Sequence, residues 1–212
     1  MLNIKNIIFD FGGVFIDIDY NATRKAFLNL GIKNFDNLFK QDYVSNLFED
    51  LETGKINEQD FYFQFNSITN SQLTKEQIKK AWNAMLGNFW MERLEFAKTL
   101  KASYKVLLLS NTNEIHFKSF DKKFKKDFPT NDFSNYFHQV YYSHEVGMRK
   151  PNADCYLRIL KDHQLSANET LFVDDTLKNI EGAQKVALQI LHLKPHMDLT
   201  KSVSRILKFP YE

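Results

Sequence analysis

The stretch Ile4-Lys5-Asn6-Ile7-Ile8-Phe9-Asp10-Phe11-Gly12-Gly13-Val14 decides how this chain is read. A short apolar run cut off by turn-forming residues reads as a buried strand, and this one ends on a carboxylate. The pattern returns at Tyr104–Leu109 before Ser110-Asn111, at Gln139–Tyr142, at Leu171–Val173 before Asp174-Asp175, and at Gln189–Leu193. Stretches of helical length lie between most of these runs, at Met91–Ala102, Asn113–Lys125, Asn152–Gln164 and Leu177–Ala187. Strands alternating with helices imply right-handed crossovers and a parallel sheet. From about Tyr20 to Trp90 the alternation stops. That interval holds amphipathic helical segments (Asn21–Leu30, Phe35–Leu51, Glu58–Asn66, Lys75–Leu86) and no convincing strand. The predicted architecture is α/β: a Rossmann-like parallel-sheet core from residues 1–19 and 91–212, with an α-helical cap inserted over 20–90.

A chain of 212 residues buries about 70% of its unfolded surface and needs no metal or disulfide staple to fold. Twenty-eight basic against 26 acidic residues is too even a balance for nucleic acid or a membrane surface to be the main partner. The one basic cluster, Lys122-Lys123-Phe124-Lys125-Lys126, reads as a solvated helix end opposing the negative end of the helix dipole. Cys155 is the single cysteine, which excludes an intrachain disulfide and suits a reducing compartment. No apolar run approaches the roughly 20 residues that span a bilayer, and Met1–Lys5 shows no signal-peptide pattern. The expectation is a cytoplasmic protein; the oligomeric state is left open.

In an open α/β sheet, ligands bind beyond the carboxyl ends of the strands. Three predicted strands end there in Asp10, Ser110-Asn111 and Asp174-Asp175, so residues far apart in sequence are expected to converge. Three carboxylates together repel unless cations sit among them. Mg²⁺, which favours oxygen ligands and phosphate, is the natural counterion. Lys150 is the natural second cation; Pro151 after it pushes Lys150 towards an extended conformation and is expected to start the following helix.

The order Asp10-Phe11-Gly12-Gly13-Val14, Ser110-Asn111, Lys150-Pro151, then Asp174-Asp175 with Asn179 resembles the haloacid dehalogenase superfamily. The resemblance covers nearly the whole chain, the helical insert being similar to that superfamily's cap. Gly147–Pro151 and Asp174–Ala183 look closest to its sugar-phosphate phosphatases. The resemblance implies a Mg²⁺-dependent phosphatase acting on a small phosphorylated metabolite. Asp10 would be the nucleophile that carries an aspartyl-phosphate. Ser110 and the backbone at Asn111 would bind the phosphoryl oxygens, and Lys150 would offset charge on nucleophile and phosphoryl group. Asp10, the Gly12 carbonyl, Asp174 and Asp175 would hold Mg²⁺. In the cap, the loop Glu52-Thr53-Gly54-Lys55-Ile56 resembles the loop that faces the active site, with Glu52 and Lys55 as candidate substrate contacts.

One departure stands out. Most phosphatases of the superfamily carry a second Asp two residues after the nucleophile, as acid for the leaving alcohol and base for water; here that residue is Gly12. General acid–base help is typically worth 10²–10⁴ in rate. α-D-Glucose-1-phosphate phosphatases of the superfamily resemble this chain in lacking that Asp. Asp17 and Asp19 are the nearest acids in sequence and read as a solvated hairpin edge. Trp82 and Met85 read as core, while His116 and His144 read as polar surface or supporting groups. Two alternatives follow from Gly12: a metal-independent haloacid dehalogenase-type hydrolase, and a weakly active or non-catalytic phosphate-binding relative.

Overall fold

A computed structural model describes residues 3–33, 35 and 42–210. Five strands form one parallel sheet: β1 (Asn6–Phe9), β4 (Lys105–Ser110), β5 (Gln139–Tyr142), β6 (Thr170–Asp174) and β7 (Gln189–His192), in spatial order β5-β4-β1-β6-β7. These are the predicted runs, displaced by a residue or two at the ends. Alternation places Ile7 and Phe9 on one face and Ile8 on the other. The first face packs on α5 (Met91–Leu100), α6 (Glu114–Asp127) and α10 (Leu199–Leu207) through Phe96, Phe120, Phe124 and Val203. The second packs on α8 (Ala153–Asp162) and α9 (Leu177–Lys185) through Tyr156, Ile159, Ile180 and Ala183. A sheet buried on both faces accounts for strands that read as continuous apolar runs.

The interval after the first strand is helical, as expected: α1 (Tyr20–Asn29), α2 (Asp42–Glu52), α3 (Glu58–Thr69) and α4 (Lys75–Trp82). Of the predicted segment Phe35–Leu51, Phe35 and the stretch from Asp42 onward are helical; residues 36–41 lie outside the described residues. These helices enclose an apolar cluster of their own, with Phe27, Phe48, Phe61, Phe65, Ile78 and Trp82 at its centre and Ile115 of the core at its edge.

Two expectations need correction, and one element is added. The interval contains a strand, β3 (Leu86–Phe89), which pairs antiparallel with β2 (Ile16–Ile18). Leu86-Gly87-Asn88-Phe89 has little strand propensity; its pairing comes from residues far away in sequence. Gly87 is required there, because a Cβ would lie 2.8 Å from the Asp17 Cβ. Pro151 does not open α8: the Lys150–Pro151 bond is cis, and Asn152 precedes the first helical residue. The closing helix α10 lies beyond the predicted elements; Asp198 caps it, and Leu199 and Val203, four apart, are buried. The lysine cluster is a solvated face, Lys123 pairing with Asp127 and Lys125 with Asp121 one turn away. No helix among the described residues is long and apolar enough to cross a membrane.

Candidate active site

The chain order reverses beside β1, which has β4 on one side and β6 on the other. Phe9 pairs level with Val173 and with Leu108, so the carboxyl ends of all three strands open on one crevice. Asp10 leaves β1 there, its N–H donating to the Val173 carbonyl at 2.8 Å. Asp174 closes β6 and Ser110 closes β4. The cap of α6 is Asn113, whose Oδ1 accepts from the His116 N–H at 3.0 Å; Ser110 and Asn111 are therefore not consumed as helix caps.

Lys150 is the cation of this floor. Only 1% of its side chain is exposed, and its Nζ donates to Asp10 Oδ1 and, at 2.8 Å, to Asp174 Oδ2. Its main chain is gripped on both sides by one amide. The Asn111 Nδ2 donates to the Lys150 carbonyl at 2.9 Å, and the Lys150 N–H donates to Asn111 Oδ1 at 2.9 Å. Sequence reasoning used only the backbone at Asn111; its side chain is the clamp. Burial disfavours the charge on Lys150, but Asp10 and Asp174 outweigh it and hold the pKa above the ordinary lysine value. Asp10 moves the other way. Burial pushes its carboxyl up, Lys150 opposes, Asp174 adds repulsion, and the result is about 7.

Asp174 and Asp175 are neighbours with opposite surroundings. Asp174 is fully buried and saturated: Thr176 N–H donates to Oδ1 at 2.7 Å, Asn179 Nδ2 reaches both oxygens at 3.1 and 3.0 Å, and Lys150 takes Oδ2. Asp175 is exposed, and within its side chain only Oδ1 accepts a described bond, from the Thr176 hydroxyl at 3.1 Å. Loss of hydration on the cavity-facing side of its carboxyl and the charge of Asp174 raise its pKa.

The donor set fits a hard divalent cation. Asp10, Asp174 and Asp175 each place an oxygen within 4.8 Å of the others, and one buried lysine cannot neutralise three carboxylates. Hard cations take such oxygen donors. The loop after β1 is shaped to admit Asp175: Gly13 has φ +68°, and a Cβ on it would lie 2.1 Å from Asp175 Oδ2. Arg93 steadies that loop, donating to the carbonyls of Val14 at 2.9 Å and Gly13 at 3.3 Å while lying over the Trp90 ring.

Above the floor is a cavity of about 350 Å³. Its lower wall holds Asp10, Gly12, Ser110, Asn111, Lys150 and Asp175, and its upper wall holds Tyr20, Glu52, Trp82, Met85, His116 and Arg149. Of the two cap-loop candidates, Glu52 lines the cavity. Lys55 does not; its side chain is 63% exposed and pairs with Asp50 at 3.2 Å. Asp17 and Asp19 also stay outside, Asp19 accepting from the Asn21 N–H at 2.9 Å as cap of α1. Trp82 and Met85 belong both to the helical cluster and to the cavity wall. His116 is buried rather than on the surface; it stacks on Trp82 at 5.0 Å, and its Nδ1 lies 2.8 Å from Asn83 Oδ1. Burial holds its ring neutral, with a pKa of about 3. Arg149 was missed. Its Nε lies 3.0 Å from Glu52 Oε2 and its Nη1 3.4 Å from Glu49 Oε2. Nothing local to Arg149 marks it; its place is set by Glu49 and Glu52, far away along the chain.

The sequence profile described as haloacid dehalogenase-like hydrolase matches residues 4–187. Over 209 residues the chain is 32% identical to D-ribitol-5-phosphate phosphatase of Bacteroides thetaiotaomicron, covering 96% of this chain and 98% of that protein. A solved haloacid dehalogenase family enzyme of the same organism, an aspartate-to-alanine mutant in complex with magnesium and inorganic phosphate, superposes with a TM-score of 0.87 at 29% identity. That match covers 94% of this chain and 98% of the other. A haloacid dehalogenase-like hydrolase of Porphyromonas gingivalis gives a TM-score of 0.87 at 26% identity, over 97% and 98% of the two chains. The chain belongs to the haloacid dehalogenase-like hydrolases.

Proposed function

We propose that this member of the haloacid dehalogenase-like hydrolases is a Mg²⁺-dependent phosphomonoesterase of a small phosphorylated metabolite, a sugar or polyol phosphate. Residues 1–19 and 91–212 are its catalytic core, and residues 20–90, with their own apolar cluster, are its cap. The observation that carries the reading is the buried triad Asp10–Lys150–Asp174, with Asp175 beside it, beneath a cavity of metabolite size.

Asp10 is the nucleophile: it attacks phosphorus, and the ester P–O bond breaks to leave an aspartyl-phosphate. Lys150 opposes the effect of burial on Asp10 by pairing with its carboxylate, and it shares the phosphoryl charge as transfer proceeds. Ser110 and the backbone at Asn111 receive phosphoryl oxygens, and the Asn111 amide keeps Lys150 in register. Asp10, the Gly12 carbonyl and Asp175 are the groups that would hold Mg²⁺. Asp174, its oxygens already engaged, orients Lys150 from beneath. The cation, when bound, neutralises charge on the phosphoryl oxygens. Ribitol 5-phosphate enters through the relative's name alone, and the cavity volume suits a metabolite of that size.

The test is phosphate release from a panel containing D-ribitol 5-phosphate and α-D-glucose 1-phosphate, after EDTA treatment and again with Mg²⁺ added. Release that needs Mg²⁺, with a phosphoryl adduct recovered on Asp10 after acid quench, is the expected result. Halide release from 2-haloacids without metal would replace this reading by the dehalogenase. Tight phosphate binding with no turnover of any ester would replace it by the binding protein.

A further inference from the structure

Gly12 leaves the departing oxygen without a side-chain acid from the loop after β1, and an alkoxide is a poor leaving group unless protonated. A proton donor elsewhere on the cavity wall would supply what that loop lacks. Among the described residues, three carboxyl groups line that wall: Asp10, Asp175 and Glu52. The first two belong to the cation cluster. The His116 Nδ1 is engaged with Asn83, and its ring is neutral. Glu52 remains.

We propose, on the basis of the phosphomonoesterase reading above, that Glu52 is the proton donor to the leaving oxygen and the base for the water that follows. Asp10 attacks phosphorus and the P–O bond to the leaving oxygen breaks. The bonding pair goes to that oxygen, which takes the Glu52 proton. Water then attacks the aspartyl-phosphate. The Asp10 Oδ–P bond breaks with its electron pair returning to Asp10, and Glu52 takes the proton of the water. Both groups end as they began.

The loop is built to hold Glu52 in place. Glu52 ends α2, and Gly54, at φ +67°, sits so close to the core that a Cβ would lie 2.2 Å from the His144 carbonyl oxygen. The cap loop is thus pressed on α7 (Ser143–Val146). Charge favours a proton here. One guanidinium, Arg149, serves two carboxylates, Glu52 and Glu49, so the group carries one negative charge in excess. Burial raises the Glu52 pKa, Arg149 opposes, Glu49 adds to the rise, and Lys150 opposes more weakly. The Tyr20 phenol also faces this carboxylate. An arriving phosphate dianion raises its proton affinity further.

The measurement is single-turnover release of the alcohol from para-nitrophenyl phosphate and from D-ribitol 5-phosphate, with Mg²⁺, from mildly acid to mildly alkaline pH. In the wild type the alkyl ester should fall behind the aryl ester as pH rises and Glu52 loses its proton. Glu52→Gln should slow the alkyl ester about 10²-fold or more at the acid end, the scale of general acid catalysis, and the aryl ester far less. Arg149→Met keeps Glu52 and removes its cation, so the alkyl-ester activity should persist to higher pH. If Glu52 merely docks the cap, both variants will slow both esters alike through KM, and the proposal is overturned while the phosphatase reading stands. An unchanged ester ratio in Glu52→Gln overturns it too. A wild type that releases nothing from either ester removes the phosphatase reading and this inference with it.

Discussion

The floor and the upper wall of the cavity are built on opposite plans. Asp10, Lys150 and Asp174 are each less than a tenth exposed, and they satisfy one another in a single connected network. Across the cavity, Tyr20 is 62% exposed and Arg149 divides itself between two glutamates at 3.0 and 3.4 Å. Charges taken out of water interact more strongly and need no reorganisation during reaction. The floor suits the phosphoryl group, which is the same in every substrate. The upper wall suits the leaving group, which differs. On the proposed reading, this division assigns reaction type to the strand ends and leaving-group contacts to a wall shared by the helical insert with His116 and Arg149 of the core.

The largest expected effect breaks the floor. Asp10→Asn keeps the shape of the side chain and removes the attacking oxygen, so turnover should fall to background. Stability should change in the opposite sense. An unfolded Asp10 ionises near 3.8, whereas in the fold burial carries it to about 7. Between those values the folded protein holds a proton that the unfolded chain has lost, so stability falls as pH rises through that window. The Asn variant escapes this loss. Without divalent cation, its Tm should match the wild type in acid and exceed it by several degrees above pH about 7. Equal Tm values on the alkaline side, or residual turnover by the purified variant, would contradict the account of Asp10.

The next effect sharpens the contrast within one dipeptide. Asp174→Ala leaves Lys150, Asn179 and the Thr176 N–H without their acceptor, and breaking such a buried network costs about 3–5 kcal/mol. Asp175→Asn removes a charge that burial and Asp174 already disfavour; stability should stay within about 1 kcal/mol. The cation response separates them as well. Thermal stabilisation by added Mg²⁺, a linkage effect, should be largely lost in Asp175→Asn. Urea unfolding of both variants and a Mg²⁺ titration of Tm measure this. Similar unfolding costs for the two would mean that they share one role.

Much of the floor was legible in the sequence because parallel strands buried on both faces leave an unmistakable print. Apolar runs stop at Asp10, Ser110 and Asp174, and sheet topology brings those stops together. What was not legible is decided by side-chain direction and by partners far along the chain. Asp174 and Asp175 are chemically identical, and only the fold makes one saturated and the other open. Glu52 and Lys55 flank the same turn, yet one enters the cavity and the other turns to Asp50. Asn111 read as a backbone contact because nothing local shows that its amide meets Lys150. Strand β3 has no propensity of its own and exists through its pairing with β2.

The smallest expected effect tests both walls at once. The backbone at Gly12 is not in the left-handed region that favours glycine, and a Cβ there would meet only the Ile18 side chain, at 3.2 Å. Gly12→Asp is therefore tolerable in conformation; the side chain that must give is a flexible one. If no acid served the leaving group, the new carboxyl would speed alkyl esters by the roughly 10²–10⁴ that general acid catalysis supplies. With Glu52 already in that role, the gain in the wild type should be small, below about tenfold, because a second acid adds little to a proton already delivered. In Glu52→Gln the same substitution should recover most of the lost alkyl-ester activity and restore its fall with rising pH. Comparing Gly12→Asp in the two backgrounds, with single-turnover release of the alcohol as the readout, gives the coupling between the residues directly. A large gain in both backgrounds would mean that the upper wall supplies no proton. No gain in either would mean that alkoxide departure does not limit transfer, and that the floor alone sets the rate.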